Sequence, residues 1–475
     1  MAAMTERLSP DLCVVGGGAA GLSVAAAAAG FGVPVVLVER GRMGGECLNA
    51  GCVPSKALIA AARHARAVDE AHRFGVQAGP AMVDMAALRA HVRATIAGIA
   101  PTDSAARFTA LGVRVIAGTA RFTGPDSLAV DDATEITARR VVIATGSSPR
   151  LPPVAGLADV PFLTTETVFD LDVLPRHLLV IGAGPVGLEL GQAFRRLGSG
   201  VTLVEAGEPL AGEDPEAAAS VLAALRREGV DIRPHAGIAR AFRAGGAVAL
   251  TLDTGETLTG SHLLVAAGRV PSLAGLDLDR AGIAHGPDGI RVDAALRTTN
   301  PRVYAIGDAI PGARSTHGAS HQAALVIRNA LFRLPVRFDP DAVPRVVFTD
   351  PELARIGPTE AALRARGESF RVLRWPLADN DRARAERDIP GHVKLVTTRR
   401  GRILGASIVG AHAGEMITTW GLAVRNRLSV RDLAEQVVAY PTRGEIGKRA
   451  AMTFYSRTLT NPMVRRMVGW LRRLG

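Results

Sequence analysis

At 475 residues the chain is too long for one hydrophobic core and implies three or four domains. Three cysteines, an odd count, exclude a disulfide-stapled framework and point to a reducing compartment, where a disulfide would be catalytic and not structural. The net charge of +11 raises nucleic acid or an anionic membrane as partners, but the arginines are scattered and three tyrosines and three tryptophans supply no stacking platform, so nucleic acid is set aside.

The first element is a short buried strand, Leu12-Cys13-Val14-Val15, with Cys13 a small core residue. Gly16-Gly17-Gly18-Ala19-Ala20-Gly21 then supplies G-x-G-x-x-G, an alanine-rich helix runs to about Ala29, and Val35 to Val38 form a second strand ending at Glu39. Gly16 permits the tight turn, Gly18 lets backbone approach a pyrophosphate, Gly21 allows close helix packing, and Glu39 is placed to accept ribose hydroxyls. Leu12 through Val38 carries no charge and is long enough to span a bilayer, yet clustered glycines, Pro34 and the lack of a basic leader argue for a soluble chain.

Cys47 and Cys52 follow within Gly44-Gly45-Glu46-Cys47-Leu48-Asn49-Ala50-Gly51-Cys52-Val53-Pro54-Ser55-Lys56. Five residues of ideal helix give about 7.5 Å of rise and about 140° of rotation, whereas bridged cysteines have Cα atoms about 5.5 Å apart. A regular helix cannot hold that bridge, so Gly51 and Pro54 are expected to distort the first turn, and a strained, partly exposed bridge is the kind that cycles. Two reduced core thiols are the bland alternative. Zinc is disfavoured because no second cysteine pair exists, and no metal site is expected.

A second unit repeats the pattern: Leu178 to Ile181, then Gly182, Gly184 and Gly187, with Val201 to Val204 leading to Glu205. Two such folds imply two different nucleotides. Glu205 stands at the ribose position and Ala206-Gly207-Glu208-Pro209 offers no arginine for a 2′-phosphate, so NADH is expected over NADPH.

These motifs together resemble the flavoprotein disulfide reductases of the pyridine nucleotide-disulfide oxidoreductase family, which includes dihydrolipoyl dehydrogenase, glutathione reductase and mercuric reductase. Ala144-Thr145-Gly146 resembles the end of the FAD domain, and Tyr304-Ala305-Ile306-Gly307-Asp308-Ala309 resembles its second signature, whose aspartate holds the ribityl chain. Pro351 to Gly357 and Gly391 to Leu395 are similar to the dimerisation domain. The resemblance implies an α/β fold with two Rossmann-like dinucleotide-binding domains, for FAD and NAD, and a C-terminal α+β dimerisation domain. It divides the chain into FAD domain 1–150, NAD(P) domain 151–270, central FAD part 271–341 and dimerisation domain 342–475. Such proteins are homodimers; a cytoplasmic location is expected.

By resemblance, Cys52 lies against the flavin and Cys47 meets substrate. Lys56, four residues after Cys52 and one of only three lysines, is expected to pair with Glu189 and polarise the flavin. Gly268 and Arg269 are expected to line the end of the nicotinamide domain. His317 aligns with a histidine that relatives place near the flavin; metal ligation by His317 with His321 is disfavoured for want of a third ligand.

One departure bears on substrate. Where dihydrolipoyl dehydrogenase and glutathione reductase carry His-Pro-Thr with a glutamate three residues on, this chain reads Tyr440-Pro441-Thr442-Arg443-Gly444-Glu445. A phenol with a pKa of about 10 is a poor proton acceptor at neutral pH. A tyrosine there resembles mercuric reductase, and two thiolates suit soft Hg(II). That enzyme, however, carries a C-terminal cysteine pair, and this chain has no cysteine after Cys52. The resemblance and these residues together imply an FAD-dependent NADH oxidoreductase passing electrons through Cys47/Cys52 to a disulfide or soft metal. A dihydrolipoyl dehydrogenase and a cysteine-independent flavin electron-transfer protein docked to a membrane remain as alternatives. The tail 461–474 alternates apolar and arginine residues at helical spacing, a pattern that packs on a dimer or lies on an anionic membrane.

Overall fold

A computed structural model describes residues 6–312, 314–456 and 461–474. The chain forms two compact units, residues up to 208 with 230–340, and 209–229 with 341–475.

The first unit is built on two parallel sheets. One has five strands in the spatial order Val303–Ala305, Arg140–Ile143, Leu12–Val15, Val35–Glu39, Arg114–Ala117. Its central strands are buried, as a parallel sheet covered on both faces requires. Helices Ala19–Gly30 and Thr316–Ala330 pack against each other beside it. The second sheet has four strands in the order Asp231–Arg233, Gly200–Val204, His177–Ile181, His262–Val265. Both open with strand, glycine turn and helix, so the doubly wound repeat expected from sequence is present twice. Two short strands, Ser147–Pro149 and Arg269–Pro271, pair antiparallel, with Arg269 opposite Pro149 and Ser147 opposite Pro271.

The second unit is a five-stranded antiparallel sheet, Arg345–Val347, Glu352–Ile356, Ile403–Gly410, His392–Thr397, Arg371–Pro376 in spatial order. Helices Ala413–Arg425 and Glu445–Met452 cover it, and Pro215–Arg227 packs on strands Ile403–Gly410 and Glu352–Ile356. Lys394, 4% exposed, is held by Asp214 at 2.8 Å, Glu360 at 2.9 Å and Glu216 at 3.3 Å.

The tail forms helix Pro462–Leu471, N-capped by Asn461. Among the described residues no helix is long and apolar enough to cross a membrane, and Leu12 to Val38 is divided among strand, helix and strand.

Candidate active site

Both glycine motifs form cradles that only glycine permits. A methyl group at Gly21 would collide with the Gly16 carbonyl, and one at Gly187 with that of Gly182. Helices Ala19–Gly30 and Pro185–Arg196 begin after Gly18 and Gly184 with no side-chain cap, leaving N–H groups directed outward, as a pyrophosphate requires. Glu39 accepts from Gly17 N at 2.5 Å and Gly41 N at 2.6 Å; Glu205 accepts from Ala183 N at 2.8 Å and Gly207 N at 3.0 Å. Each acid is therefore fixed at the end of its second strand. The buried Thr145 Oγ1 has no hydrogen-bond partner, and Gly146 beside it adopts φ +70°. Asp308, after Gly307, accepts from Ser147 Oγ at 2.6 Å. An orphaned hydroxyl, an uncapped glycine cradle and a carboxylate near the sheet's C-terminal edge fit a flavin dinucleotide.

The cysteines lie on two helices. Cys47 is in Gly45–Asn49, and Cys52 is the first residue of Cys52–Glu70. The expected irregularity sits at Ala50 and Gly51, ahead of Cys52, while Pro54 is accommodated inside the first turn, where its missing N–H costs nothing. The thiols are unbridged and hydrogen-bonded to each other, with Cys47 half-buried and Cys52 exposed. Thr316 Oγ1, at the start of Thr316–Ala330, lies 3.4 Å from Cys52 Sγ, so two helix N-termini meet at this sulfur. The Cys47 hydrogen bond, with help from Thr316 and the Lys56 charge, outweighs burial and lowers the Cys52 thiol to about 6. The same bond and burial push Cys47 upward. Burial alone raises Cys13 to about 12 and keeps it inert.

Lys56 Nζ reaches Glu189 Oε2 at 2.8 Å, joining the cysteine helix to the helix of the second glycine motif. Sequence reading missed Glu46. Its carboxylate lies against Gly51 and 3.3 Å from Arg269, and burial raises its pKa despite that arginine. Arg269 also donates to Ser147 Oγ and O, both at 2.7 Å, and stands 3.9 Å from Asp308. The cysteine helix, the connecting strands and the Asp308 signature are thus linked by one charged chain. The clue in sequence was an acid beside Cys47, but its partner lies more than two hundred residues away.

Cys47 also lines a cavity of about 400 Å³. Leu22, Ile99 and Phe108 supply apolar wall, Thr316 and Ser320 hydroxyls, and Asp103 and Arg107 charge. His317 and His321 are exposed on Thr316–Ala330, and His321 stacks on Phe338 at 6.2 Å. Among the described residues no group of three metal-ligating side chains occurs. Gly268 adopts φ +98° just before Arg269. Tyr440 and Glu445 belong to the second unit. Tyr440 is 67% exposed and donates to Asp381 at 2.9 Å, which raises its pKa; Glu445 pairs with Arg449 at 2.6 Å. A phenol so held is a poor proton acceptor at neutral pH.

Residues 10–323 match the pyridine nucleotide-disulphide oxidoreductase family, and residues 343–451 match its dimerisation domain. A mercuric reductase of Streptomyces lividans is 38% identical over 459 residues, covering 94% of this chain and 96% of that protein. A dihydrolipoyl dehydrogenase of Geobacillus stearothermophilus is 34% identical over 453 residues, with 94% and 96% covered. Among solved structures, LpdA of Mycobacterium tuberculosis superposes with TM-score 0.86 at 30% identity, covering 94% of this chain and 99% of that one. The HOCl-induced flavoprotein disulfide reductase RclA of Escherichia coli, as a Cu(II) complex, gives 0.83 at 28% identity, with 92% and 98% covered.

Proposed function

Because this chain belongs to the pyridine nucleotide-disulphide oxidoreductase family, we propose that it is an NADH-dependent flavoprotein reductase whose Cys47/Cys52 pair delivers electrons to a thiol-reactive acceptor, a disulfide or a soft metal. FAD, when bound, supplies the two-electron relay between the nicotinamide and the cysteines. Gly16, Gly18, Gly21, Glu39, Thr145, Gly146, Gly307 and Asp308 would hold it, with His317 beside the ring. Gly182, Gly184, Gly187 and Glu205 would hold NADH, with Gly268 and Arg269 closing that part of the site.

One observation carries the reading: Cys52 Sγ, on the first residue of one helix, lies 3.4 Å from Thr316 Oγ1 at the start of another, while Cys47 lines a cavity. Cys52 is then the electron-accepting sulfur and Cys47 the sulfur that attacks substrate, with Lys56 and Glu189 fixing the charge beside them. Reduction by NADH is expected to produce a long-wavelength absorbance band that Cys52→Ser abolishes. If the band never forms, the cysteine route is wrong, and electron transfer to quinones that survives loss of both cysteines would take its place. Robust dihydrolipoamide oxidation would restore the dihydrolipoyl dehydrogenase reading, against which Tyr440 weighs. Tyr440 and Glu445 complete the proposed catalytic set, at the positions where the family carries its histidine and glutamate.

The dimerisation-domain match supports a homodimer, domain boundaries at 150, 270 and 341 are retained, and the location is taken as cytoplasmic. The tail helix exposes Met463, Met467, Trp470 and Leu471 alongside Arg466 and Arg472, which favours a weak anionic membrane contact. Sedimentation with anionic vesicles, lost on Trp470→Ser, tests that contact; a helix that sediments with neither vesicle type and protects its apolar face in the dimer would remove it.

A further inference from the structure

Two charged groups line the cavity at Cys47, Asp103 and Arg107. Asp103 lines the cavity, half-buried, and no hydrogen bond or ion pair reaches its carboxylate among the described residues. The neighbouring cation is already engaged: Arg107 donates to Thr102 O at 2.5 Å and lies over the Phe108 ring at 5.4 Å. In a chain of net charge +11, a carboxylate left without a partner beside a reactive sulfur selects for a positive ligand. The rest of the wall, Leu22, Ile99 and Phe108, suits a short hydrocarbon body.

A second observation comes from the proton balance. Cys47 attack on a disulfide expels a thiolate, and expulsion is faster when the departing thiol is more acidic. Imidazole, the group that would protonate a basic leaving thiolate, is replaced at the family's position by Tyr440, whose phenol is held above its usual range by Asp381. An ammonium two or three carbons from sulfur lowers that thiol's pKa by its own charge. The same ammonium that Asp103 would bind therefore removes the need for the missing acid.

We propose that the cavity takes small disulfides of aminothiols, with the ammonium on Asp103 and one sulfur at Cys47; this rests on the reading of Cys47/Cys52 as the electron-delivering pair. Cys47 Sγ gives up its proton and attacks the nearer sulfur. The acceptor's S–S bond breaks, a Cys47 mixed disulfide forms, and the first aminothiol leaves with that proton. Cys52 thiolate then attacks Cys47 Sγ, the second aminothiolate leaves and is protonated by water, and the Cys47–Cys52 bond closes. The two electrons consumed come from one NADH.

The test is NADH-dependent reduction of cystamine, the neutral bis(2-hydroxyethyl) disulfide and the dianionic 3,3′-dithiodipropionate by the FAD-loaded protein. Cystamine is expected to show kcat/KM about 10-fold above the neutral disulfide, equivalent to about 1.4 kcal/mol, and the dianion to be poorest. Asp103→Asn is expected to bring KM for cystamine to that for the neutral compound, leaving only the kcat advantage of the more acidic leaving thiol, while Asp103→Glu restores the KM order and added salt compresses it. Equal KM for cystamine and the neutral disulfide, or a KM preference for cystamine that persists in Asp103→Asn, overturns the proposal. So does failure to reduce cystamine in protein that forms the Cys52-dependent band with NADH. Absence of that band instead overturns the parent reading, and this proposal with it.

Discussion

Lys56 Nζ and Glu189 Oε2 are 2.8 Å apart, and the two ends of this bond differ sharply in exposure, the lysine side chain being 36% exposed and the glutamate 6%. Removing either partner therefore has unequal consequences. Lys56→Met takes an ammonium away from a buried carboxylate and should cost about 3 kcal/mol. Glu189→Gln leaves an ammonium that water can reach and should cost about 1 kcal/mol. Urea midpoints of the two variants check this ordering, and the reverse order would show that Glu189 is satisfied by other groups. Both variants should also slow NADH-driven reduction of the cysteine pair, by about 10-fold or more.

The thiolate assignment has a pH signature. Cys52 is lowered from 9.0 to about 6, chiefly by the Cys47 hydrogen bond. A depressed folded pKa stabilises the reduced protein in full above the unfolded value, and that stabilisation is lost as pH falls through the folded one. Ultraviolet titration of the reduced protein should show a single thiolate appearing with a midpoint near 6, since Cys47 is pushed upward and Cys13 is raised to about 12. Thr316→Val should move that midpoint upward by removing one stabilising hydrogen bond. A midpoint of about 8.5, the value of an ordinary thiol, would remove Cys52 as the resident thiolate.

Local patterns carried most of this site in the sequence because its parts are local devices. Gly16, Gly18 and Gly21 sit within one turn and announce a cradle; Cys47, Cys52 and Lys56 sit within ten residues and announce a charged helix start. The groups that tune the site were not legible in the same way. Thr316 reaches Cys52 from 264 residues away, and Ser147 reaches Asp308 from 161. Nothing in the spacing of a lone serine or threonine marks such partners, because the parallel sheet brings them together. Pro54 is expected from sequence to distort the first turn, because a regular helix cannot hold a Cys47–Cys52 bridge, yet within a first turn a proline removes no bond.

Lys394 gives the second unit a charge-dependent stability. Its ammonium neutralises Asp214, which is 1% exposed, together with Glu360 and Glu216. Lys394→Met should destabilise the unit by about 3–5 kcal/mol, since it strands a buried carboxylate. The Lys394 pKa is raised above 10.5 by its carboxylates despite burial, so its contribution is complete below that value and lost at higher pH. Glu360 is lowered from 4.5 by its hydrogen bond to Lys394, so its contribution is complete above 4.5 and lost in acid. Thermal melts of wild type and Lys394→Met should accordingly differ most between these limits and converge below about pH 4. Equal melting temperatures at neutral pH would show that the network contributes nothing net.

Glu205 sets the expected nucleotide preference through charge and through what surrounds it. Its carboxylate is held toward the second glycine loop by Ala183 N and Gly207 N, at the end of the strand that carries it. A 2′-phosphate there would meet like charge at close range. The nearest strand end offers Arg233, whose carbonyl accepts from Glu205 N, but its guanidinium is already paired with Asp231 at 2.9 Å and Glu256 at 3.2 Å. NADH should therefore exceed NADPH in kcat/KM by about 100-fold, roughly the 2.7 kcal/mol of one close like-charge contact at a partly solvated site. Glu205→Gln should shrink the ratio about 10-fold, mostly by lowering KM for NADPH, because the repulsion disappears while the amide oxygen still accepts from one of the two N–H groups. Should the wild type use both nucleotides equally, Arg233 must leave Asp231 to meet the phosphate, and Arg233→Ala would then remove NADPH activity while sparing NADH.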